Sequence, residues 1–257
     1  MKISVITIVY NDRFNIKKTI KSINSQTKRA NIEYIIIDGA SNDGTSDIIK
    51  SMINNIDIYI CEKDTGIYNA MNKGLKRATG DYIIFMNSGD CFSNPNIVED
   101  ILKILSITSS KPALIYGNYR NSKNGIYSKP IPARKSKWIW YGPITSHQST
   151  FYSNSFIRKH HLSYDEKYKI AADYKLTLEV IKKSNYNVLK LPLCISDFDL
   201  TGISNQNQDL GLKEANMIRR EILKWGIIKE TGLTLVLIAA RFIRQNLGSI
   251  YNVIRRV

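Results

Sequence analysis

The sequence predicts an α/β fold in which a mostly parallel central sheet is flanked by helices. Three observations predict it. Apolar, β-branched segments alternate with amphipathic segments through roughly the first 110 residues. After Pro112 the segments become shorter and more polar, which predicts a small antiparallel portion. From about Leu212 onward the pattern is helical and basic, which predicts a helical extension.

The first half of the chain alternates four strands with three helices, which is typical of a parallel sheet covered on both faces. Its strands are β-branched and largely apolar, as buried parallel strands are. They are predicted at Lys2–Tyr10, Ile32–Asp38, Ile56–Ile60 and Tyr82–Met86. Isoleucines at helical spacing predict helices over Phe14–Gln26, around Ile48–Ile53, and from Gly66 through Ala78.

An aspartate follows each of these strands or closes it: Asp12, Asp38, Asp64 and Asp90. Because parallel strands end at the same edge of a sheet, we expect all four at one rim. The clearest case is the strand that ends in Asn87, Ser88, Gly89 and Asp90. A carboxylate in that position is able to hold a hard divalent cation.

A helix over Asn96–Leu105 is predicted to end the first half. The second half carries weaker signals. It is predicted to contain a hairpin, an extended His147–Tyr152, a helix over Ile170–Ser184, a strand over Val188–Ile195 and a polar loop over Ser196–Gln208. The hairpin pairs Ala113–Arg120 with Gly125–Ile131. Asp173 lies in the first turn of its predicted helix.

The pattern divides the chain into a domain over 1–205 and an extension over 206–257. The domain has one half over about 1–112 and another over about 113–205. The extension is basic, with nine Lys or Arg against three Asp or Glu in residues 213–257. Its apolar stripe and arginines favour contact with an anionic membrane surface. The alternative is packing on the domain itself or on a second subunit, as in a homo-oligomer.

Composition limits the function classes. The formal charge of the 257 residues is +15, which favours an anionic partner, but no nucleic-acid-binding motif is present, so nucleic acid is unlikely. Three scattered cysteines indicate a reducing compartment and argue against a zinc site. No signal peptide or membrane span is predicted. We therefore expect a cytoplasmic protein.

The motifs resemble those of the family-2 inverting glycosyltransferases, which have the GT-A fold. The matching segments are Ser4–Asn11, Ile36–Thr45, Glu62–Gly74 and Asn87–Asp90. His147-Gln148 and Ile170–Tyr174 are similar to the subgroup that builds bacterial surface polysaccharides. The resemblance covers roughly residues 1–205, and its motifs are specific in combination.

The resemblance implies a hexosyltransferase that moves a sugar from a nucleotide diphosphate donor, UDP-linked first of all, onto a saccharide. The polymer would be O-antigen, capsule or exopolysaccharide, with the acceptor carried on a polyprenyl diphosphate and the enzyme peripheral on the inner face of the plasma membrane. A divalent cation, Mn²⁺ or Mg²⁺, would bind Asp90. Asn87 and Gly89 occupy slots that are usually acidic, which implies weaker metal affinity.

The resemblance also assigns the site residues. Asp173 is the expected catalytic base; its alternative role is a helix N-terminal carboxylate. The expected donor contacts are Thr7, Val9, Tyr10, Asn11, Asp38, Asp64, Asn72, Lys73, Asn87, Ser88 and Gly89. Tyr10 would stack on the nucleotide base; its alternative role is a core aromatic. Lys73 would lie near the phosphates of the donor; its alternative is a surface lysine. The expected acceptor or diphosphate contacts are His147, Gln148, Trp140 and Ser204.

Two other function classes stay open at this point. A nucleotidyltransferase on a related sheet usually has a glycine-rich basic phosphate loop after its first strand. Here Asn11–Phe14 contains no glycine. A non-catalytic basic protein that binds membrane or nucleic acid would account for the charge alone.

Overall fold

A computed structural model describes residues 1–123, 125–200 and 207–246 of the chain. Its first half alternates strands and helices as predicted, with β1 at Ile3–Val9, α1 at Ile16–Asn24, β2 at Ile32–Asp38, α2 at Thr45–Ser51, β3 at Ile58–Cys61, α3 at Ile67–Arg77, β4 at Tyr82–Phe85, β5 at Cys91–Phe92 and α4 at Ile97–Ile107. The predicted strands and helices of this half are confirmed. The two-residue strand β5 was missed.

The second half contains β6 at Leu114–Lys123, β7 at Ile126–Tyr127, β8 at Thr150–Ser153, α5 at Asn154–Lys159, α6 at Ala172–Lys183, β9 at Val188–Asp199, α7 at Gln208–Leu223 and α8 at Ile227–Asn246. The hairpin of β6 and β7 is confirmed, with antiparallel pairing of Ser122 with Tyr127. The helical prediction after Leu212 is confirmed as far as Asn246. Residues 247–257 lie outside the described part of the chain.

Two predictions in this half were wrong. Residues His147–Ser149 form a turn of 3₁₀-helix, and only Thr150–Ser153 is extended. Ser196–Asp199 belongs to β9 and not to a loop, because these residues pair in register with β6 from Tyr119 to Ser122. The Arg120 guanidinium also holds the Asp197 carboxylate at 2.7 Å, which compensates for burying a charge in a strand.

The described strands form one sheet in the order β3-β2-β1-β4-β8-β6-β9-β5, with β7 paired to β6. Strands β1 to β4 are mutually parallel where they pair. The antiparallel pairs involve β8, β5 and β7. The predicted fold class is therefore confirmed: a mostly parallel sheet, a small antiparallel portion and flanking helices.

Alternate residues of each central strand enter two separate cores. Ile6 and Ile8 of β1 pack with α3 and α6 on one face. Ile3, Val5 and Val9 pack with α1 and α4 on the other. All seven residues of β1 and of β2 are buried, as strands with helices on both faces must be. Most residues of these strands are apolar, and the polar loops that follow them form the rim.

Candidate active site

The rim is the edge of the sheet where β1, β2, β3 and β4 end, and the four aspartates lie there as predicted. The loops after β1 and β4 are bonded to each other, since Ser88 Oγ donates to Asp12 Oδ2 at 2.7 Å. The Thr7 hydroxyl lies inside the sheet and donates to the Met86 carbonyl at 2.7 Å. The structure does not bring the side chains of Thr7 and Val9, which are both buried, to the open surface of the rim.

At one end of the rim, Tyr10, Gly39 and Asp64 converge. The Tyr10 side chain is 63% exposed, so the alternative of a core aromatic is excluded. A Cβ placed on Gly39 would lie 2.6 Å from Asp64 Oδ2 and 3.3 Å from Tyr10 Cδ2. A side chain at position 39 would displace the Asp64 carboxylate from this place, and glycine leaves the space open. An exposed aromatic ring can stack on a planar nucleotide base, and a carboxylate beside it can accept hydrogen bonds from the N–H groups of that base.

Asp38 lies beneath this surface and is fully buried. Its Oδ1 accepts from the Ser41 amide at 2.9 Å, and its Oδ2 accepts from the hydroxyls of Ser46 and Tyr59. Burial by itself would raise the pKa of Asp38, but the hydrogen bonds from Ser41, Ser46 and Tyr59 outweigh it and lower the pKa below its ordinary value. Asp38 thus orders the loop that follows β2. Asn11 bonds to the same loop by accepting from the Asn42 amide at 2.9 Å.

Asp90 forms the buried floor at the end of β4. Its Oδ2 accepts from Gln148 Nε2 at 2.7 Å, and its Oδ1 accepts from the Asp199 amide at 2.8 Å. The side chain is only 3% exposed. Burial raises the pKa of Asp90 to about 7, although the hydrogen bonds oppose the shift. Gln148 therefore contacts Asp90 directly.

His147 connects the end of β4 to the first turn of α6. Its Nε2 lies 3.1 Å from Asn87 Nδ2, and its Nδ1 lies 3.4 Å from Asp173 Oδ2. When the Asn87 amide donates to Nε2, the proton of the neutral ring is on Nδ1 and faces the carboxylate. Tyr68 OH lies 3.5 Å from Asp173 Oδ1. The Asp173 side chain is 24% exposed, so a substrate is able to reach it.

Three other predicted residues do not join this group. Asn72 donates to the Tyr164 carbonyl and to Glu166, and it accepts from the Tyr164 amide, so it fixes that segment. Lys73 Nζ lies 3.0 Å from Glu62 and donates to the Lys63 carbonyl. Trp140 packs in an aromatic cluster with Trp138, Tyr141 and Trp225. Ser204 lies outside the described residues.

Comparison with known proteins identifies the family. Residues 4–164 match the family profile described as glycosyl transferase family 2. A Mycobacterium tuberculosis protein, named as an uncharacterised glycosyltransferase, is 31% identical over 208 residues, which is 80% of this chain and 78% of the relative. The chain belongs to glycosyl transferase family 2. The family predicted from the sequence motifs is confirmed.

Solved structures show which fold this family-2 glycosyltransferase shares. Residues 1–349 of Staphylococcus aureus TarS, crystallised with UDP, superpose with a TM-score of 0.69 at 18% identity, over 96% of this chain and 74% of that fragment. The Pyrobaculum calidifontis mannosyltransferase PcManGT, solved with GDP-mannose and Mn²⁺, superposes at 0.67 with 14% identity, over 88% and 65% of the two chains. The GT-A fold of this glycosyltransferase is confirmed.

The structure also brings two residues to the site of this glycosyltransferase that were not predicted. Asp199, in the part of β9 expected to be a loop, lies against Gly89: a Cβ on Gly89 would be 3.6 Å from Asp199 Oδ2. Glu214 of α7 binds the backbone just before Asp173. No local pattern marks either residue, because each acts through a contact with a segment distant in sequence. Only the acidic slot left empty by Gly89 hints that a carboxylate is needed there.

The donor set around Asp90 suits a hard cation without forming a closed cage. Among the residues described, no three His, Cys, Asp or Glu side chains cluster as metal ligands. The Asn87 Oδ1 atom, however, is buried without a hydrogen-bond partner in the structure. The Asp90 amide donates to the Asn87 backbone carbonyl at 3.0 Å, and Asp199 contacts the same loop at Asp90 and Gly89. Two carboxylates and one amide oxygen are ligands that Mg²⁺ and Mn²⁺ accept while keeping water and phosphate ligands.

Proposed function

We propose that this glycosyltransferase moves a hexose from a nucleoside diphosphate donor, UDP-linked, to a saccharide acceptor with inversion at the anomeric carbon. The observation that carries the proposal is the line of contacts from Asn87 through His147 to Asp173. These contacts join the partly exposed Asp173 carboxylate to the rim. At the same rim, Tyr10 and Asp64 form a surface that suits a nucleotide base. The similarity in fold to TarS, which was crystallised with UDP, supports the choice of nucleotide.

The proposed chemistry is a single displacement. Asp173 accepts the proton of the acceptor hydroxyl as its oxygen bonds to the anomeric carbon. The bond from that carbon to the diphosphate breaks, and the nucleoside diphosphate leaves. His147 orients Asp173 by presenting its Nδ1 proton to Oδ2. Tyr10, Asn11 and Asp64 hold the nucleotide, and Asp38 supports them from beneath by ordering the loop after β2, so that donor and acceptor meet in line. Ser88 bonds the loop after β4 to Asp12, and the Gly89 amide bonds the same loop to the Thr19 hydroxyl.

A divalent cation is part of the proposal, and the residues present fit it. Asp90, Asp199 and the buried Asn87 Oδ1 would hold Mn²⁺ or Mg²⁺. Such an ion neutralises charge on the leaving diphosphate. Gln148 and the Asp199 amide orient Asp90 by donating hydrogen bonds to its two carboxylate oxygens. The fold neighbour PcManGT, solved with Mn²⁺, supports this assignment.

We further propose that the acceptor belongs to a bacterial surface polysaccharide and is lipid-linked, with the enzyme on the inner face of the plasma membrane. Support comes from a tryptophan surface formed by Trp138, Trp225, Ile227 and Ile228 with Lys137 and Lys229. Ile228 is 90% exposed, and Lys229 lies 4.4 Å above the Trp225 ring. Exposed apolar residues mixed with tryptophan and lysine suit an anionic lipid interface. In the described part of the chain, no helix has both the length and the hydropathy to cross a membrane.

Donor turnover tests the function. Purified enzyme with Mn²⁺ and UDP-sugars should release UDP, and Asp173→Asn should release it at least about 100-fold more slowly while still binding UDP. A nucleotidyltransferase would not release UDP from a UDP-sugar and would instead release inorganic diphosphate from UTP and a sugar 1-phosphate. Full turnover in Asp173→Asn would overturn the role of this residue. The absence of any UDP binding would overturn the choice of donor.

Vesicle flotation tests the membrane proposal separately. The wild type should float with vesicles that contain phosphatidylglycerol, and a double Ile227→Glu, Ile228→Glu variant should bind about tenfold less. Ile126→Glu is the control, because Ile126 is 76% exposed on β7, outside the tryptophan surface. Equal binding of all three proteins would contradict the proposal.

A further inference from the structure

Helix α7 delivers a buried carboxylate to the backbone that precedes Asp173. Glu214 is 5% exposed. Its Oε1 accepts from the Lys169 amide at 2.7 Å, and its Oε2 accepts from the amides of Ile170 and Ala171, both at 2.9 Å. Three successive amides therefore converge on one side chain that lies 43 to 45 positions further along the chain. Carboxylate bonds to backbone amides are among the stronger hydrogen bonds in proteins.

This contact anchors the backbone that leads into α6. Ala171 is the N-cap residue of α6 and has no polar side chain to cap the helix. Buried amides need acceptors, and leaving them without one is costly. Glu214 supplies acceptors from another helix for the Ala171 amide and for the two amides before it. Since Asp173 is the second residue of α6, the position of its carboxylate depends on where this start is held.

Two further contacts fix the same segment. The Tyr68 hydroxyl, from α3, donates to the Ile170 carbonyl at 2.6 Å. A Cβ on Gly211 would lie 3.2 Å from Ile170 Cγ2, so α7 approaches Ile170 closely one turn before Glu214. The 169–171 segment is thus clamped between α3 and α7.

We propose that Glu214 is a positioning residue for Asp173, and that α7 is part of the catalytic unit and not of a separable extension. The proposal rests on the proposed role of Asp173 as the base. Glu214 does not touch the reacting atoms. It fixes the distance from Asp173 to His147, which sets the alignment for proton transfer, and small displacements of that kind reduce rates by up to about 100-fold.

The test compares Glu214→Ala, Glu214→Gln and a control, Met217→Ala, which changes the same helix at a side chain that is 55% exposed. We expect Glu214→Ala to lower kcat about 10- to 100-fold, with the donor KM and UDP affinity within about twofold of wild type. Glu214→Gln keeps an oxygen acceptor and should recover part of the loss. Met217→Ala should match wild type.

Hydrogen exchange gives a second readout, and it also covers the case in which Glu214→Ala fails to fold, since Glu214→Gln conserves the shape. Amides 169–174 should exchange faster in the Glu214 variants and not in Met217→Ala. Wild-type kcat in Glu214→Ala, or UDP affinity that falls in step with kcat, would overturn the proposal. If Asp173→Asn itself is fully active, the assignment of the base has failed instead.

Discussion

The His147 imidazole lies with Nδ1 3.4 Å from the Asp173 carboxylate, while its other nitrogen meets Asn87 at the end of β4. This relationship couples the sheet to the first turn of α6. It brings together His147 and Asp173, which lie 60 and 86 positions after Asn87 in the sequence.

Replacing His147 should slow transfer without abolishing donor binding. We expect His147→Ala to lower kcat about 10- to 100-fold, because Asp173 loses the group that orients it. Steady-state kinetics with UDP-sugar checks this. His161→Asn is the matched control, since His161 lies outside the site and has a positive φ of 50°, which asparagine tolerates. Equal kcat in the two variants would show that the His147 contact has no catalytic role.

Cation binding should strengthen as the pH rises through about 7. Burial raises the pKa of Asp90 to about 7 from an ordinary value of 3.8. Without a cation, the free energy of unfolding therefore falls as the pH rises from about 4 to about 7, because the buried Asp90 resists ionisation. Above about pH 7 this group causes no further fall. A cation needs the ionised form, so the Mn²⁺-induced rise in Tm should be larger at pH 8 than at pH 6. In Asp90→Asn the Mn²⁺ shift should be small at both pH values; an equally large, pH-independent shift in wild type would contradict this account.

Asp199 should contribute to the same cation site. We expect Asp199→Asn to weaken Mn²⁺ binding about tenfold, because one of two nearby carboxylates loses its charge. Titration calorimetry with Mn²⁺ and UDP measures the change. Asp81→Asn is the control, since Asp81 precedes β4 at the opposite edge of the sheet and bonds to Lys2. Weakening of the same size in the control would point to net charge, not to a specific ligand.

Asp38 should stabilise the whole fold as well as the proposed binding surface for the nucleotide base. Asp38→Asn cannot accept from Ser41, Ser46 and Tyr59 at once, and we expect a loss of about 1–3 kcal/mol in the free energy of unfolding. The pKa of Asp38 is lowered in the fold, so its contribution is present above pH 4 and is lost as the pH falls through the lower folded value. Urea unfolding of wild type and variant should therefore differ most near neutral pH. A constant difference down to pH 2 would contradict the ionic contribution.

Much of the fold could be predicted from local pattern. Strands such as β1 and β2 are apolar because both faces are covered, and that requirement is visible in the composition of each segment. Strand β5 has only two residues, and the end of β9 is polar, so neither has a strand signature. Both are stabilised by pairing with distant strands, which a single sequence does not reveal.

The site could be predicted where a motif lies at a strand end, as Tyr10, Asp64 and Asp90 do. It could not be predicted where a side chain acts across the fold. Asp199 reaches Gly89 across a gap of 110 positions, and Glu214 reaches Ile170 from a helix whose pattern indicates only an amphipathic extension. Asn72 shows the converse, since its position in a motif gives no sign that it fixes the 164–166 segment.

The most direct test of the account is the calorimetric titration of UDP, with and without Mn²⁺, into wild type, Asp90→Ala and Asp173→Asn. Mn²⁺ should strengthen UDP binding to wild type and to Asp173→Asn. It should not raise the UDP affinity of Asp90→Ala. Binding of UDP to none of the three proteins, or a gain from Mn²⁺ that survives in Asp90→Ala, would contradict a nucleotide-sugar site at the rim with Asp90 as its cation ligand.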